Sequence, residues 1–500
     1  MADARLALTT GMPILYGGDK FAFAPEHIAQ AFQAGDRLLV VEESGELLHI
    51  PAAASEIAAS AVGRAREAFA AMDQVADEAI SHFFAAFASR LEDADTWAAL
   101  AAANEEDLAS ASARNRSTTR LTLDWAMRAE VIAGLRVWRD LEHTRGRLIE
   151  RVDHRGWSVE QTTAAVGVVG FVFEGRPNVV ADAAGVLRGG NTAVLRIGGD
   201  ALRTARAIMR HALAPALEDA GLPPGAVSLV DSAEHAAAWA LMADHRLSLA
   251  VARGSGPAVS QLGAIARQAG TPVSLHGGGG AWLIADTSAS ADRFEAAVGA
   301  SLDRKACNTM NVCCIVGERA AELVPLFLAA LERAGAARGG GVRLHIGEGD
   351  ETWLPRRWLT ERVVVRRADG EHDEPLADTI AVHDLGREWE WEETPEVSLK
   401  IVADLDDAIA LFNARSPRFI ACLIAEDAHV QERFFRAVEA PFVGDGFTRW
   451  VDGQYALERP ELGLSNWLRG RLFARGAVLS GDGVFTVRTR MRQNKAGLKR

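Results

Sequence analysis

An α/β protein built on parallel sheets is what this sequence predicts, and three observations carry that reading. From about residue 164 onward, short β-branched and aromatic runs alternate with helix-length amphipathic stretches, the pattern of strands wound with helices. The strand runs, such as "VGVVGFVF" and "NTAVLRI", are apolar throughout, as strands covered on both faces must be. The chain has 500 residues, 49% of them hydrophobic and 24% charged, enough for a large core and two or three domains.

Taken in order, residues 1–50 read as an N-terminal extension in which "DRLLVVEESGELLHI" sets two apolar runs around a Ser-Gly turn, a hairpin. From Pro51 to about Arg145 the chain is alanine-rich with helical apolar spacing, and several long helices are expected. "AAVGVVGFVFEGRPN" then opens the alternating regime. It continues through a helix over "VVADAAGVLRGG", the strand "NTAVLRI", a helix from Asp200, "GAVSLVD", "AEHAAAWALMA", "LSLAVARGSG" and a helix over Pro257 to Gln268. "GGG" at Gly339 to Gly341 and the acidic "GREWEWEETPE" read as surface loops.

The formal net charge of −13 argues against an extended nucleic-acid surface, which needs clustered lysine and arginine. No stretch of 18 uninterrupted apolar residues occurs, and the N-terminus lacks a basic flank with an apolar run, so neither a membrane span nor export is expected. Four cysteines, three of them clustered and none in a CxxC pair, fit a reducing cytoplasm and predict neither a disulfide framework nor a metal site.

Those three cysteines stand in "DRKACNTMNVCC". Cys313 and Cys314 lie inside an apolar strand and read as small core residues. Cys307 differs: Asp303, Arg304 and Lys305 precede it, Asn308 follows, and the strand begins only at Val312, so it sits on a half-exposed loop beside cations that favour thiolate. A dinucleotide site of the usual kind would show GxGxxG after the first strand, where this chain has "FEGRPN". A later glycine turn, "ARGSGPAV", puts Gly254 and Gly256 between a strand and a helix, where a phosphate-facing turn and a plain chain reversal are both open. Arg196 ends the strand "NTAVLR", where an acid would suit an unphosphorylated ribose and a cation suits NADP.

Together "GRPNVVADAAGVLRGGNTAVLRIGGDAL", "ARGSG", "KACN" and "TRWVDG…ELGLSNWLRGRLFARG" resemble the gamma-glutamyl phosphate reductases of the aldehyde dehydrogenase superfamily, in the same order and over about Pro51 to the C-terminus. The resemblance implies an aldehyde dehydrogenase-like α/β fold: a Rossmann-type cofactor domain over 51–275 with an oligomerisation hairpin near 149–163, an α/β catalytic domain over 276–445, and a substrate-edge and oligomerisation segment over 446–500. It makes Cys307 the catalytic thiol and Asn178 the amide that, with the cysteine N–H, holds the oxyanion. It places NADPH, in preference to NAD, along Arg196, Gly198, Gly199, Gly254 and Gly256, with Glu392 at the nicotinamide ribose. Thr448 and Arg449 become contacts for an acidic substrate, and a homodimer or homotetramer is implied.

Three departures bear on chemistry. The superfamily glutamate that activates water falls at Leu275, beside His276, which is a candidate substitute base or substrate contact. Asn311 stands where the family commonly has glutamate, and residues 1–50 have no counterpart. The expectation is NADPH-dependent reduction of a gamma-glutamyl phosphate-like acyl phosphate through a Cys307 thioester, with a small-molecule activated acid as substrate and an acyl kinase as its supplier. Proline formation or a specialised pathway is the setting. Reduction of an acyl-coenzyme A or carrier-bound thioester, aldehyde oxidation, and a non-catalytic scaffold remain as alternatives.

Overall fold

The apolar runs form two parallel sheets, one in each of two compact units. The computed structural model describes residues 7–498 except 115, 117, 119, 368–369, 465–466, 469–470 and 473–476. The first unit runs to Gly277 and takes back Glu458–Leu464 and the chain from Val478, and the second is built on Gly278–Leu457. Residues 7–50 therefore group with the first unit, and the C-terminal stretch is divided between the two.

In the first unit, β1 (Pro13–Tyr16) and β2 (Lys20–Phe23) form a hairpin, α1 (Glu26–Ala31) follows, and β3 (Arg37–Val41) pairs with β4 (Glu46–Ile50). Ala24, Ile28 and Leu47 centre a small core for this module. A two-stranded hairpin is marginal alone, and β3–β4 is tied down by Gln268, which donates to Val40 O at 2.8 Å and accepts from Glu42 N at 3.2 Å. Helices α2 (Ala52–Met72), α3 (Asp77–Glu92), α4 (Ala94–Ser112) and α5 (Trp125–Asp140) follow. Asp93 and Asp124 start the last two, each accepting a first-turn N–H at 2.8 Å. Phe83, Phe84, Phe87 and Trp138 supply much of their core.

Next come β5 (Leu148–His154) and β6 (Trp157–Ala164), then β7 (Val168–Phe173), α6 (Val179–Ala184), β8 (Thr192–Ile197), α7 (Leu202–Ile208), α8 (Ala214–Asp219), β9 (Val227–Leu229), α9 (His235–Met242), β10 (Leu249–Arg253), α10 (Gly256–Gln268) and β11 (Val273–His276). The parallel sheet runs in the order β11-β10-β7-β8-β9. Its order reverses between β7 and β10, so a crevice opens past their carboxyl ends, the usual ligand position in such sheets.

The second unit contains β12 (Ala281–Ala285), α11 (Ala291–Ala300), β13 (Met310–Val316), α12 (Gly317–Ala337), β14 (Arg343–Gly347), α13 (Arg356–Thr360), β15 (Arg362–Arg367), β16 (Gly370–Pro375), β17 (Ala377–Ile380), β18 (Glu396–Val402), α14 (Leu405–Arg415), β19 (Ile420–Ile424), α15 (Ala428–Ala437) and β20 (Phe442–Gly444). Seven of these strands make a parallel sheet in the order β17-β14-β18-β13-β12-β19-β20. Back in the first unit, β21 (Glu461–Leu464) pairs with β22 (Val478–Ser480), and β23 (Thr486–Gln493) joins β6 and β5 in a three-stranded antiparallel sheet. Among the described residues no helix is long and apolar enough to cross a membrane.

Candidate active site

The Cys307 loop joins α11 to β13 and is closed by its own side chains. Thr309 Oγ1 accepts the Ala306 N–H at 2.8 Å and donates to Arg304 O at 2.6 Å, so the chain is folded into a tight turn before the strand starts. Cys307 is half-buried on this turn, whereas Cys313, Cys314 and Cys422 are buried in β13 and β19. Burial pushes the thiol pKa of these three upward, that of Cys422 to about 12, so they stay protonated and inert.

The glycine run before β12 is explained by the same loop. A side-chain carbon on Gly279 would lie 2.5 Å from Cys307 Cα and 2.7 Å from its carbonyl oxygen, which only glycine permits. Gly280 donates its N–H to Cys307 O at 2.9 Å. The backbone beneath the thiol is thus pinned from one side.

Lys305 corrects one expectation. Its ammonium does not stand free beside the thiol: its side chain is 7% exposed, and Nζ pairs with Glu388 Oε1 at 2.7 Å. The other oxygen of Glu388 accepts the Gly279 N–H at 2.7 Å. The acidic loop around Glu388 is likewise not merely a solvated one. Trp389 stacks on His345 with ring centres 3.7 Å apart, and its indole N–H donates to Ser398 Oγ at 2.9 Å. Asn311 clamps this loop, accepting the Trp389 N–H at 2.9 Å and donating to Arg387 O at 2.8 Å. Glu392, expected at the ribose, has an exposed side chain and offers its carbonyl to Arg338. The carboxylate that reaches the cysteine loop is Glu388.

Thr448 and Arg449, expected to face substrate, instead brace this loop. Thr448 is wholly buried and donates to Asn308 O at 2.7 Å, while Arg449 donates to Asp303 at 2.6 Å and to Asn308 Oδ1. Both side chains are drawn inward because the loop supplies their acceptors. The later part of "ELGLSNWLRGRLFARG" lies largely outside the described residues.

In the first unit, Asn178 follows β7 and begins α6, and its Oδ1 is buried without a hydrogen-bond partner. An orphaned buried acceptor costs free energy unless a hydrogen-bond donor completes it, and an oxyanion would be received by the other atom of the amide, Nδ2. Arg196 is 4% exposed within β8. Its guanidinium donates to Ala233 O at 2.9 Å and Glu234 O at 3.1 Å, Nε has no partner, and burial lowers its pKa. No carboxylate among the described residues balances it. Gly198 lies against the Gly175 backbone, where a side-chain carbon would come within 2.9 Å of Gly175 N, and one on Gly199 would lie 3.2 Å from Ala233 Cβ.

The turn at Gly254 and Gly256 is not an open cradle. Glu174 Oε1 accepts the Ser255 N–H at the start of α10, and a side-chain carbon on Gly254 would meet the Glu174 carboxyl carbon at 2.6 Å. One on Gly256 would sit 2.9 Å from Gly277 O. The glycines here admit close packing, and a carboxylate already occupies the anion position. For a nicotinamide dinucleotide, then, Arg196 and the Gly198–Gly199 turn fit, while the Ser255 turn fits only if Glu174 gives way.

His276 ends β11. Burial, with the positive charges of Arg253 and Arg176, holds its pKa well below the ordinary histidine value. The neutral ring accepts the Leu464 N–H at Nδ1 at 3.3 Å, which puts its proton on Nε2. Its lone pair is therefore engaged, an unfavourable arrangement for a water-activating base.

A family model for the aldehyde dehydrogenase family matches residues 41–334. The chain belongs to the aldehyde dehydrogenase family and is an oxidoreductase acting on aldehydes, and the family implies a nicotinamide cofactor. It is similar to the gamma-glutamyl phosphate reductase of Afipia carboxidovorans, 31% identical over 392 residues that cover 76% of this chain and 82% of that protein. That of Rhodospirillum rubrum is 31% identical over 329 residues, 65% of this chain and 68% of the relative. Among solved structures, gamma-glutamyl phosphate reductase from Thermotoga maritima matches with a TM-score of 0.72 at 20% identity, covering 89% of this chain and all (100%) of that one. An acetylating aldehyde dehydrogenase from Geobacillus thermoglucosidasius matches with a TM-score of 0.62 at 15% identity, covering 90% and 99%. At these identities the structural matches show the fold.

Neither Lys305–Glu388 nor Glu174 was read from sequence as a working pair or plug. One signal existed: in "EWEWEE" tryptophans alternate with acids, the period of a segment with one face turned inward.

Proposed function

We propose that the protein reduces an acyl phosphate to an aldehyde through a thioester on Cys307, with NADPH as reductant. The observation that carries this is the contrast among the cysteines: Cys307 is half-exposed on a turn pinned by Gly279 and Gly280, and the other three are buried and inert. The relatives' name supplies the substrate class. The Cys307 thiolate attacks the acyl carbon, the carbon–oxygen bond to phosphate breaks, and inorganic phosphate departs. Bound NADPH supplies the hydride that reduces the thioester. The resulting alkoxide collapses to aldehyde and expels the Cys307 thiolate. The Cys307 N–H is the donor for the charged oxygen at both stages, where preorganised donors count most, and the resemblance to the family gives the Asn178 amide the same role.

Arg196 favours NADPH because a buried guanidinium without a counter-charge suits a 2′-phosphate. Assembly as a homodimer or homotetramer is proposed through the β5–β6–β23 sheet, whose outer strand β5 exposes Leu148, Ile149 and Val152.

The test runs the reaction backward, with aldehyde and NADP in phosphate-free buffer. Leu275 in place of the water-activating glutamate, and a His276 whose lone pair is engaged, leave the thioester waiting for phosphate. Turnover is expected only on adding phosphate or arsenate. Steady turnover without either would make water the acceptor and overturn the reading, and a response to coenzyme A alone would replace acyl phosphate by a thioester.

A further inference from the structure

One cleft in the first unit opens from Asn178 and is not used by the chemistry above. Its walls come from five helices and include Phe87, Leu100, Leu123 and Ile208, and its empty space, the open mouth included, is about 310 Å³. Asn178 stands on this wall with its orphaned Oδ1, and among the described residues Arg128 is the one charged side chain lining the cleft.

Arg128 is 9% exposed, and among the described residues no carboxylate pairs with it. Its Nε donates to Leu91 O at 2.8 Å, and its guanidinium carbon lies 4.6 Å from the ring centres of both Trp97 and Trp125. The two ring centres are 6.0 Å apart, so the guanidinium lies against one side of a tryptophan pair, and its terminal N–H groups have no hydrogen-bond partner among the described residues, which leaves donors for a carboxylate. A nearly buried cation without a counter-ion gains most from such a partner. An ammonium in the same cleft would meet apolar walls and the like charge of Arg128, with the neutral Asn178 Oδ1 as an acceptor but no acid among the described lining residues to balance it.

We infer that the substrate's acyl chain runs from Asn178 along this cleft and ends in a carboxylate held by Arg128, so that the substrate is an activated dicarboxylic acid carrying no amino group. This rests on Asn178 being the oxyanion donor. The chemistry favours a succinyl-, glutaryl- or adipyl-type chain over a glutamyl one.

The experiment measures binding of unreactive half-amides to the full-length protein, so that it does not depend on turnover. The probes are the half-amides of succinate, glutarate and adipate, with L-glutamine, which differs from the glutarate half-amide only by its ammonium, and pentanamide, which lacks the carboxylate. At least one half-amide is expected to bind about 10- to 100-fold tighter than L-glutamine and pentanamide, the range of a charge-assisted hydrogen-bonded pair. Arg128→Met should remove that preference while leaving pentanamide binding unchanged, and Arg128→Lys should keep part of it. L-glutamine binding as well as the half-amides, or a half-amide affinity indifferent to Arg128→Met, would overturn the inference. The parent protein's ranking decides the matter even if a variant misfolds. Half-amide binding without turnover of the matching semialdehydes would sink the catalytic reading and leave the carboxylate subsite standing.

Discussion

Two glycine turns in this protein are each closed by a glutamate, and they are closed differently. At Gly279, beneath the Cys307 loop, Glu388 accepts the backbone N–H and is itself paired with the nearly buried Lys305. At Ser255, past the end of β10, Glu174 accepts the backbone N–H while exposed, and no cation pairs with it among the described residues. The first carboxylate is neutralised, flanked by the stacked Trp389 and fixed by the Asn311 clamp. The second is a lone charge at a helix N-terminus, held by local dipoles that an incoming phosphate would use as well. One turn is framework, and the other is closed by a charge that no cation among the described residues balances.

The largest effect tests whether the framework exists to serve the thiol. Cys307→Ala should lower turnover on the order of 10⁴-fold, the scale of losing a nucleophile, with thermal stability nearly unchanged. Cys422→Ala should do the reverse, keeping activity within a few-fold while costing about 1 kcal/mol for the small cavity left in β19. Retained turnover in Cys307→Ala, measured as steady-state NADPH oxidation, would remove the covalent mechanism.

Next in size is Lys305→Met, which strands the Glu388 carboxylate beside the cysteine loop. Leaving one member of such a pair unpartnered costs about 1–3 kcal/mol, and displacement of Glu388 would release Gly279 from the thiol's underside. A 10- to 100-fold loss of kcat is expected, about the range a misplaced reacting group produces. Adding Glu388→Gln to Lys305→Met should restore part of the loss, since no charge is then left unpaired. Additive damage in the double variant would show that the two residues act separately.

How much of this was legible beforehand follows from the range of the forces involved. The parallel strands were readable because β-branched runs and turn residues act locally, and Cys307 was separable from Cys313 and Cys314 because a loop and a strand differ over a few residues. Glu388 was not, because its partner Lys305 is 83 residues away and the acids of "EWEWEE" look alike until the backbone turns one of them inward. The partners of Arg449 were hidden for a related reason: a sequence shows a cation's charge, but only the fold shows that Asp303 and Asn308 receive it. Arg128 was silent because its meaning lies in two tryptophans and in the absence of an acid.

On the Glu174 side, Arg196→Met should weaken NADPH binding by about tenfold and leave NADH binding unchanged, if the buried guanidinium receives the 2′-phosphate. Fluorescence titration with each cofactor decides it. Equal losses for both would mean that Arg196 only supports the carbonyls of Ala233 and Glu234.

The smallest expected effect is the one that most directly separates the two turns. Glu174→Gln keeps an acceptor for the Ser255 N–H but removes the negative charge, so a phosphate arriving at the α10 N-terminus no longer meets a like charge. Two unit charges about 4 Å apart in water interact by about 1 kcal/mol, so NADPH binding should tighten by roughly 2- to 5-fold. The gain should be greatest at low salt and fade toward 1 M, where the screening length falls to about 3 Å. Glu388→Gln at the other turn should give no such gain, because its charge is already balanced by Lys305 and its loss would leave that cation unpaired. Tighter NADPH binding in both variants would make the turns equivalent, and tighter binding in neither would mean that the cofactor's phosphates do not come to Ser255.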